Sequence, residues 1–423
     1  MNNQPAILQS LLGQFVAAEE AELYLRRFQA LQGERPMLIQ IGSGTLRHGM
    51  DDLVAAIGLL TSLGIAPMLI HDAATQSGPL LDDEPPERAR TRLVEDNSQL
   101  IHALKRRHVH ASGLTRGVFR VSPLYGDDSI DVRNQLAVDM ALPERLLAAG
   151  IVPVVALMGE CPSGDSLALP ADAIVTLGQS ARPGKIVLLT DQGMLYNRDR
   201  RCLTAISLTN DYDHLVVQSL VRADLQHLAR RSYRLLEHLD SQSSVSITRP
   251  GRLIRELFSH GGSGTLVRKG EPLAWHDHVD AALARTLTDM LEESFGRRLD
   301  SGWLSRQEVL GVLLAQSGRG AALLLRGHNG IPYLDKLMVT PAARGEGLGA
   351  GVWQALLGRF PALYWRSRAD NPINNWYFTR AESSHRSGRW VVFSTGISDF
   401  AALHGLTQDA LARDSGWLEQ RDS

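Results

Sequence analysis

Tyr333-Leu-Asp-Lys-Leu-Met-Val339, followed by Thr340-Pro-Ala-Ala-Arg-Gly-Glu-Gly-Leu-Gly349, decides how this chain is read. Residues 333–339 alternate and are rich in β-formers, so they predict a strand. Pro341 ends it. Arg344 opens a loop with glycines at 345, 347 and 349. Leu348, Val352, Trp353, Leu356, Leu357 and Phe360 then recur at helical spacing. The unit is a strand, a Gly-rich turn and a helix start. Its backbone N–H groups and the positive end of the helix dipole suit a phosphate or pyrophosphate. A dinucleotide-binding loop and a plain helix start are the other readings of the same turn.

The surrounding chain of 423 residues predicts two domains. A formal charge of −2 argues against a nucleic-acid surface. Cys161 and Cys202 are isolated, as expected in a reducing cytoplasm, and too few for a cysteine metal cluster. No apolar run reaches membrane-span length. Glu19, Glu20 and Glu22 stand where a signal peptide would need an apolar core. Residues 6–32 predict one or two amphipathic helices, with Ile7, Leu11, Leu12, Phe15, Leu23, Leu25 and Phe28 on the apolar stripe. Such a segment (1–35) would dock on the next domain or on a neighbouring subunit.

Residues 36–272 alternate strand and helix. Met37–Ile41, 66–70, 152–157, Lys185–Leu189 and Ser244–Thr248 read as strands, and 50–63 reads as a helix stopped by Gly64. Strands separated by helices imply a mainly parallel sheet covered on both faces. The charged, Pro-containing stretch 268–278 reads as linker, with 273–278 separating the domains and His276 and His278 as solvated residues. Residues 279–423 then form the second domain. A helix is expected over 279–298 and strands over 309–315, 321–326, 363–368 and 390–393. On the 363–368 strand, Tyr364, Arg366 and Arg368 share one face, while Trp365 and Ser367 share the other. Two arginines on one face suit a carboxylate-bearing ligand; an exposed edge strand is the alternative. Trp376 and Phe378 read as core.

Arg344-x-x-Gly347-x-Gly349 between a strand and a helix resembles the acyl-CoA pyrophosphate loop of the GNAT acetyltransferases. Tyr333-Leu-Asp-Lys336, Trp365-Arg-Ser-Arg368, Asn371-Pro-Ile-Asn374, Trp376-Tyr-Phe378 and Trp390-x-x-Phe393 extend the likeness. In this order they resemble the acetyltransferase domain of the N-acetylglutamate synthase family, of the vertebrate-like and fused synthase/kinase type. Gly150-Ile-Val-Pro-Val154, Gly159-Glu-Cys-Pro-Ser-Gly164, Lys185-Ile-Val-Leu-Leu-Thr-Asp191, Ser243–Pro250 and Glu256–Val267 resemble the amino-acid-kinase fold, specifically acetylglutamate kinase. The resemblance implies an α/β protein: a three-layer αβα kinase-like domain followed by a mixed α/β GNAT domain.

It also implies acetyl transfer from acetyl-CoA to the α-amine of L-glutamate, the first step of arginine biosynthesis, with no metal. Leu337, Met338, Val339, Arg344, Gly345, Gly347 and Gly349 match the cofactor positions. Lys336, Arg366, Arg368 and Asn371 match the substrate positions, and Tyr377 matches the active-site tyrosine. Ala381–Ser384 and Ser394-Thr395 depart from the family's pattern near the acceptor. In the kinase-like part, Gln40 stands at the family's lysine and Ser43 at a glycine. His71-Asp-Ala-Ala-Thr-Gln76 has lost a glycine-rich turn. Leu228 stands near a lysine position, and Ala168 and Pro170 replace asparagines before Asp172. These losses imply a regulatory pseudokinase. Glu256, Gly262 and Gly264 match a segment near the arginine site of arginine-sensitive members, although a helix end with a structural turn explains them equally. A bifunctional synthase/kinase and a non-enzymatic arginine-sensing subunit are the alternatives. A cytoplasmic homo-oligomer is expected.

Overall fold

The structure is a computed structural model, and it describes residues 18–31, 35–72, 86–122, 136–209, 221–240, 243–259, 262–344 and 347–418. The chain divides into two units, 1–269 and 270–423.

The first unit is built on an eight-stranded sheet. Its strands are β1 (Met37–Ile41), β2 (Met68–His71), β3 (Ala111–Leu114), β4 (Val152–Ala156), β5 (Lys185–Leu189), β6 (Ala205–Ser207), β7 (Ser244–Thr248) and β8 (Thr265–Arg268). Their order is β6-β8-β7-β5-β1-β2-β4-β3. All neighbours run parallel except β7 and β8. Strands β1, β2, β4 and β7 are buried along their whole length. Leu38, Ile70, Ile186 and Val245 pack into a core on one face, and Ile39, Leu69, Val187 and Val154 into a core on the other. Two covered faces explain why these stretches read as unbroken apolar runs. From β1 the chain goes one way to β2, β4 and β3, and the other way to β5 and β7. The carboxyl ends of β1 and β5 therefore flank the switch point where open α/β sheets form a crevice.

Ahead of β1, the helix Ala18–Leu31 lies on this unit. Tyr24 is buried, Phe28 meets Phe258 edge-on at 5.7 Å, and Gln29 donates to the Leu63 carbonyl at 2.8 Å. Leu25 and Phe28 of the predicted stripe are partly buried against this unit, while Ala21 and Tyr24, which lie off that stripe, are the buried residues of the helix among those described. The part predicted over 6–17 lies outside the described residues.

The second unit holds a seven-stranded sheet: β9 (Leu273–His276), β10 (Val309–Ala315), β11 (Gly320–Leu325), β12 (Tyr333–Val339), β13 (Leu363–Arg368), β14 (Ser383–Ser387) and β15 (Trp390–Thr395). The order is β9-β10-β11-β12-β13-β15-β14. The helices Ala281–Phe295 and Phe400–Ala412 cover one face. Leu348–Arg359 and Asn374–Phe378 cover the other.

Strand β9 corrects the reading of 273–278 as linker. It pairs antiparallel with β10 from Leu273↔Ala315 to His276↔Val312, and Trp275 packs on Phe360 at 5.3 Å between ring centroids. Four residues among charges and a proline are too short for periodicity to register; pairing with β10 makes them a strand.

Candidate active site

Strands β12 and β13 are the parallel pair at the centre of this sheet, and they pair only at Tyr333↔Tyr364 and Leu334↔Trp365. Beyond that point no pairing between them is found among the described residues. The register of β12 on β11 shifts at the same place: Leu324 faces Leu334 and Leu323 faces Lys336, so Asp335 is an extra residue. A bulge bends its strand, and here it coincides with the divergence from β13. Leu337, Met338 and Val339 remain paired with β11 on one side. On the other side they carry an open strand edge, able to bind an extended ligand through its main chain.

That edge leads into the Gly-rich turn. Gly347 caps the helix Leu348–Arg359 with φ 77°, a left-handed conformation that favours glycine. Gly349 lies close against Val339: a β-carbon there would sit 3.1 Å from the Val339 side chain. Gly345 lies outside the described residues. Arg344 is exposed, and its guanidinium donates to the Ser294 carbonyl at 2.6 Å. In this arrangement the side chain closes the end of the helix Ala281–Phe295.

Tyr377 sits on the face carrying the Gly-rich helix. Its ring lies 5.4 Å from Trp365, 5.6 Å from Phe393 and 6.2 Å from Trp353. Burial pushes its phenol well above the ordinary phenol range, so it stays protonated through neutral pH. No hydrogen bond to its hydroxyl is formed among the described residues. Asn371 and Asn374 fix the short helix bearing Tyr377. Asn371 donates to the Ser367 hydroxyl at 3.0 Å, and Asn374 donates to the Arg368 carbonyl at 2.7 Å. Phe378, expected in the core, is half exposed but packs one edge on Phe393 at 5.0 Å.

Lys336, Arg366 and Arg368 lie on the opposite face. Lys336 is buried and ion-paired with Asp335, with its ammonium 4.5 Å from the Trp303 ring centroid and 5.6 Å from that of Trp417. Tyr364, Arg366 and Arg368 do share a face, as alternation predicts, but their circumstances differ. Arg366 donates to the carbonyls of Ala410, Leu411 and Arg413 at 2.7, 3.3 and 2.6 Å and lies over Trp390. Arg368 is exposed and pairs bidentately with Asp370 at 3.0 and 2.8 Å.

Sequence reasoning missed the helix Phe400–Ala412 and what it brings. The Tyr364 hydroxyl donates to Asp409 and accepts from the His328 N–H at 3.0 Å. Arg413 donates to Asp409 at 2.6 Å and covers the Tyr333 ring at 4.4 Å. The apex of the divergence is thus fastened from one side by this helix.

In the first unit, Gln40 donates to Asp72 and to the Ala171 carbonyl, both at 3.1 Å. Asp172 is held by Arg231 at 2.8 Å and Arg234 at 2.6 Å. His71 is buried, and burial pushes its imidazole down to about 4. Residues 73–76 of the altered turn lie outside the described residues. Lys185, which as a strand-opening lysine is more often a surface residue, donates instead to Ser246 at 2.7 Å and Ser244 at 3.3 Å. Burial pushes its ammonium down to about 7, against the pull of Glu256. Glu256 is itself buried and accepts from Ser246 at 2.6 Å, the Ser263 N–H at 2.6 Å and the Gly264 N–H at 2.8 Å. Gly262 backs directly onto this carboxylate. Among the described residues no group of three or more His, Cys, Asp or Glu comes together as a metal site.

Residues 275–412 match the family described as NAT, the N-acetyltransferase of N-acetylglutamate synthase. Over 412 residues the chain is 34% identical to a Xanthomonas campestris protein named acetylglutamate kinase, covering 92% of this chain and 96% of that one. The chain belongs to the N-acetylglutamate synthase/acetylglutamate kinase family. Human mitochondrial N-acetylglutamate synthase is 27% identical over 427 residues, covering 95% of this chain and 77% of that protein. The structure of N-acetylglutamate synthase from Neisseria gonorrhoeae, complexed with coenzyme A and N-acetylglutamate, superposes with a TM-score of 0.54 at 20% identity. It covers 90% of this chain and 98% of the neisserial one. The two-part α/β architecture is therefore that of the synthase family, and the second unit carries its acetyltransferase. The chain is an acyltransferase.

Proposed function

We propose that the chain is an N-acetylglutamate synthase, moving the acetyl group of acetyl-CoA to the α-amine of L-glutamate. The observation that carries this is the divergence of β12 and β13. It leaves the Leu337–Val339 edge open, leads to the Gly347 helix start, and stands beside a protonated phenol. In this reading the amides around Gly345, Gly347 and Gly349, with Arg344, hold the pyrophosphate. Backbone of Leu337, Met338 and Val339 lines the pantetheine and polarises the thioester carbonyl. Lys336, Arg366, Arg368 and Asn371 bind the dicarboxylic acceptor. The neutral amine attacks, the C–N bond forms, the C–S bond breaks, Tyr377 gives its proton to the leaving sulfur, and the proton shed by the new amide nitrogen returns to the phenolate through water. An acceptor screen with acetyl-CoA, read by free-thiol release, tests it. Release with another amine and none with glutamate would overturn it.

The arginines separate two roles in this reading. Arg368→Ala should raise the glutamate KM roughly tenfold to a hundredfold, the worth of one charge-assisted hydrogen bond, with little change in unfolding temperature. Arg366→Ala should also lower the unfolding temperature, because it strips three carbonyls at a helix end of their donor. Steady-state kinetics beside thermal unfolding checks both; equal unfolding temperatures would remove the capping role.

Gly347→Val should raise the acetyl-CoA KM about tenfold or more, since valine resists φ 77° and crowds the amides that meet phosphate. An unchanged KM in folded protein would detach the loop from the cofactor.

The first unit serves as a pseudokinase and as the seat of an arginine effector. A second neisserial synthase structure, with a TM-score of 0.53, is described as complexed with coenzyme A and L-arginine. The Lys185–Ser246–Glu256 network beside Gly262 and Gly264 supports such a site here: Glu256 suits a guanidinium. The same network holds the 262–264 turn with no ligand at all, so Glu256→Ala, measured with and without arginine, separates the roles. Isolated thiols at Cys161 and Cys202 support a cytoplasmic setting. Among the described residues no helix is long and apolar enough to cross a membrane. Homo-oligomeric assembly belongs to the same reading. Its competitor, a bifunctional synthase/kinase, draws on the names of relatives such as that of Xanthomonas campestris.

A further inference from the structure

Beyond the helix Phe400–Ala412, the chain returns across the second unit as a short strap over 414–418. The Asp300 N–H donates to the Gly416 carbonyl at 2.9 Å, and the Leu418 N–H donates to the Arg298 carbonyl at 3.0 Å. Trp417 forms a bridge with Leu299. Gly416 has φ 77°, and a β-carbon there would lie 2.6 Å from the Trp303 ring, so the strap crosses that indole at closest approach. Trp417 is packed by Phe295 at 5.1 Å and Arg297 at 5.7 Å. Its ring, with that of Trp303, flanks the Lys336 ammonium.

Attraction to a ring face is electrostatic and needs no directed hydrogen bond, so it restrains the ammonium while its remaining N–H groups can turn to an acceptor. An ammonium has three donors, and Asp335 takes one. No other hydrogen bond of Lys336 is formed among the described residues. Two donors are therefore unspent on a charge that is 7% exposed and confined by two indoles and a carboxylate.

We propose that Trp417 and Trp303 are positioning residues of the acceptor site: they fix the Lys336 ammonium with two N–H groups free for the acceptor's carboxylate. This rests on the synthase reading for the identity of the acceptor, but the fixing of Lys336 can be measured without turnover.

The experiment uses full-length protein and Trp417→Phe and Trp417→Leu variants. Lysines stand at 105, 185, 269 and 336, so an acylating reagent followed by peptide mass spectrometry resolves each. Lys336 should label slowly in the parent, and more slowly still with coenzyme A and glutamate bound. It should label several-fold faster in Trp417→Leu, with Lys105 unchanged. In turnover, Trp417→Leu should raise the glutamate KM roughly two- to thirtyfold, the equivalent of one ring-face contact. The acetyl-CoA KM should hold, and Trp417→Phe should recover most of the loss. Adding Lys336→Met to Trp417→Leu should raise the KM no further than Lys336→Met alone. Equal Lys336 labelling in parent and Trp417→Leu overturns the proposal. So does a glutamate KM that stays or falls, or that rises in step with the acetyl-CoA KM. Failure of the parent to acetylate glutamate defeats the synthase reading instead, while the labelling comparison still decides whether Trp417 fixes Lys336.

Discussion

Tyr377→Phe should slow acetyl transfer by roughly a hundredfold or more, with the acetyl-CoA KM close to the parent value. Phenylalanine keeps the ring contacts with Trp365, Phe393 and Trp353. It removes only a hydroxyl that makes no hydrogen bond among the described residues, so the unfolding temperature should scarcely move. Burial raises the phenol, which makes Tyr377 a proton donor and a poor base at neutral pH. The rate limb contributed by its ionisation should accordingly lie above the ordinary phenol range, around 10. Single-turnover kinetics with thiol detection is the measurement. Parent-like chemistry in this variant would return Tyr377 to the aromatic core.

Supplied with N-acetylglutamate, ATP and magnesium, the full-length chain should release no ADP above background. A transferring phosphoryl group needs cations and unoccupied donors around it. Gln40 carries no charge, and its amide is spent on Asp72 and the Ala171 carbonyl. Asp172, the carboxylate that could face a metal, is neutralised by Arg231 and Arg234. Among the described residues, neither of these two groups is left unengaged for a magnesium nucleotide. Trapping acetylglutamyl phosphate as its hydroxamate gives the readout. Sustained formation, abolished by Asp172→Ala, would show a working kinase and favour the bifunctional reading.

Much of the architecture was legible because it is written in local periodicity. The runs at 185–189, 244–248, 333–339 and 363–368 are strands with the bounds that alternation and apolar runs suggest. The Gly-rich turn opens a helix at Leu348, as its spacing predicts. Short or weakly patterned segments were not legible. Strand β9 hides among charges, and Phe400–Ala412 follows a turn with little to announce its packing face. Lys185 reads as a surface lysine until two serines of β7 close over it.

Residue chemistry in the chain is enough to place a phosphate-suited turn, a tyrosine after Asn-Pro, and two arginines on one strand face, since each depends on neighbours in sequence. That Gln40 stands at a lysine position comes from the family resemblance and not from residue chemistry. Availability of those groups is a property of the fold. Arg366 is held in place by carbonyls of residues 410–413, which leaves only part of its guanidinium for a ligand, whereas Arg368 remains at the surface with Asp370. Lys336 is caged by indoles from residues 303 and 417, and Asp172 is bridged by a helix some sixty residues downstream. Periodicity reports which way a side chain points; a hydrogen bond or ion pair made by distant segments sets whether that side chain is left free for a ligand.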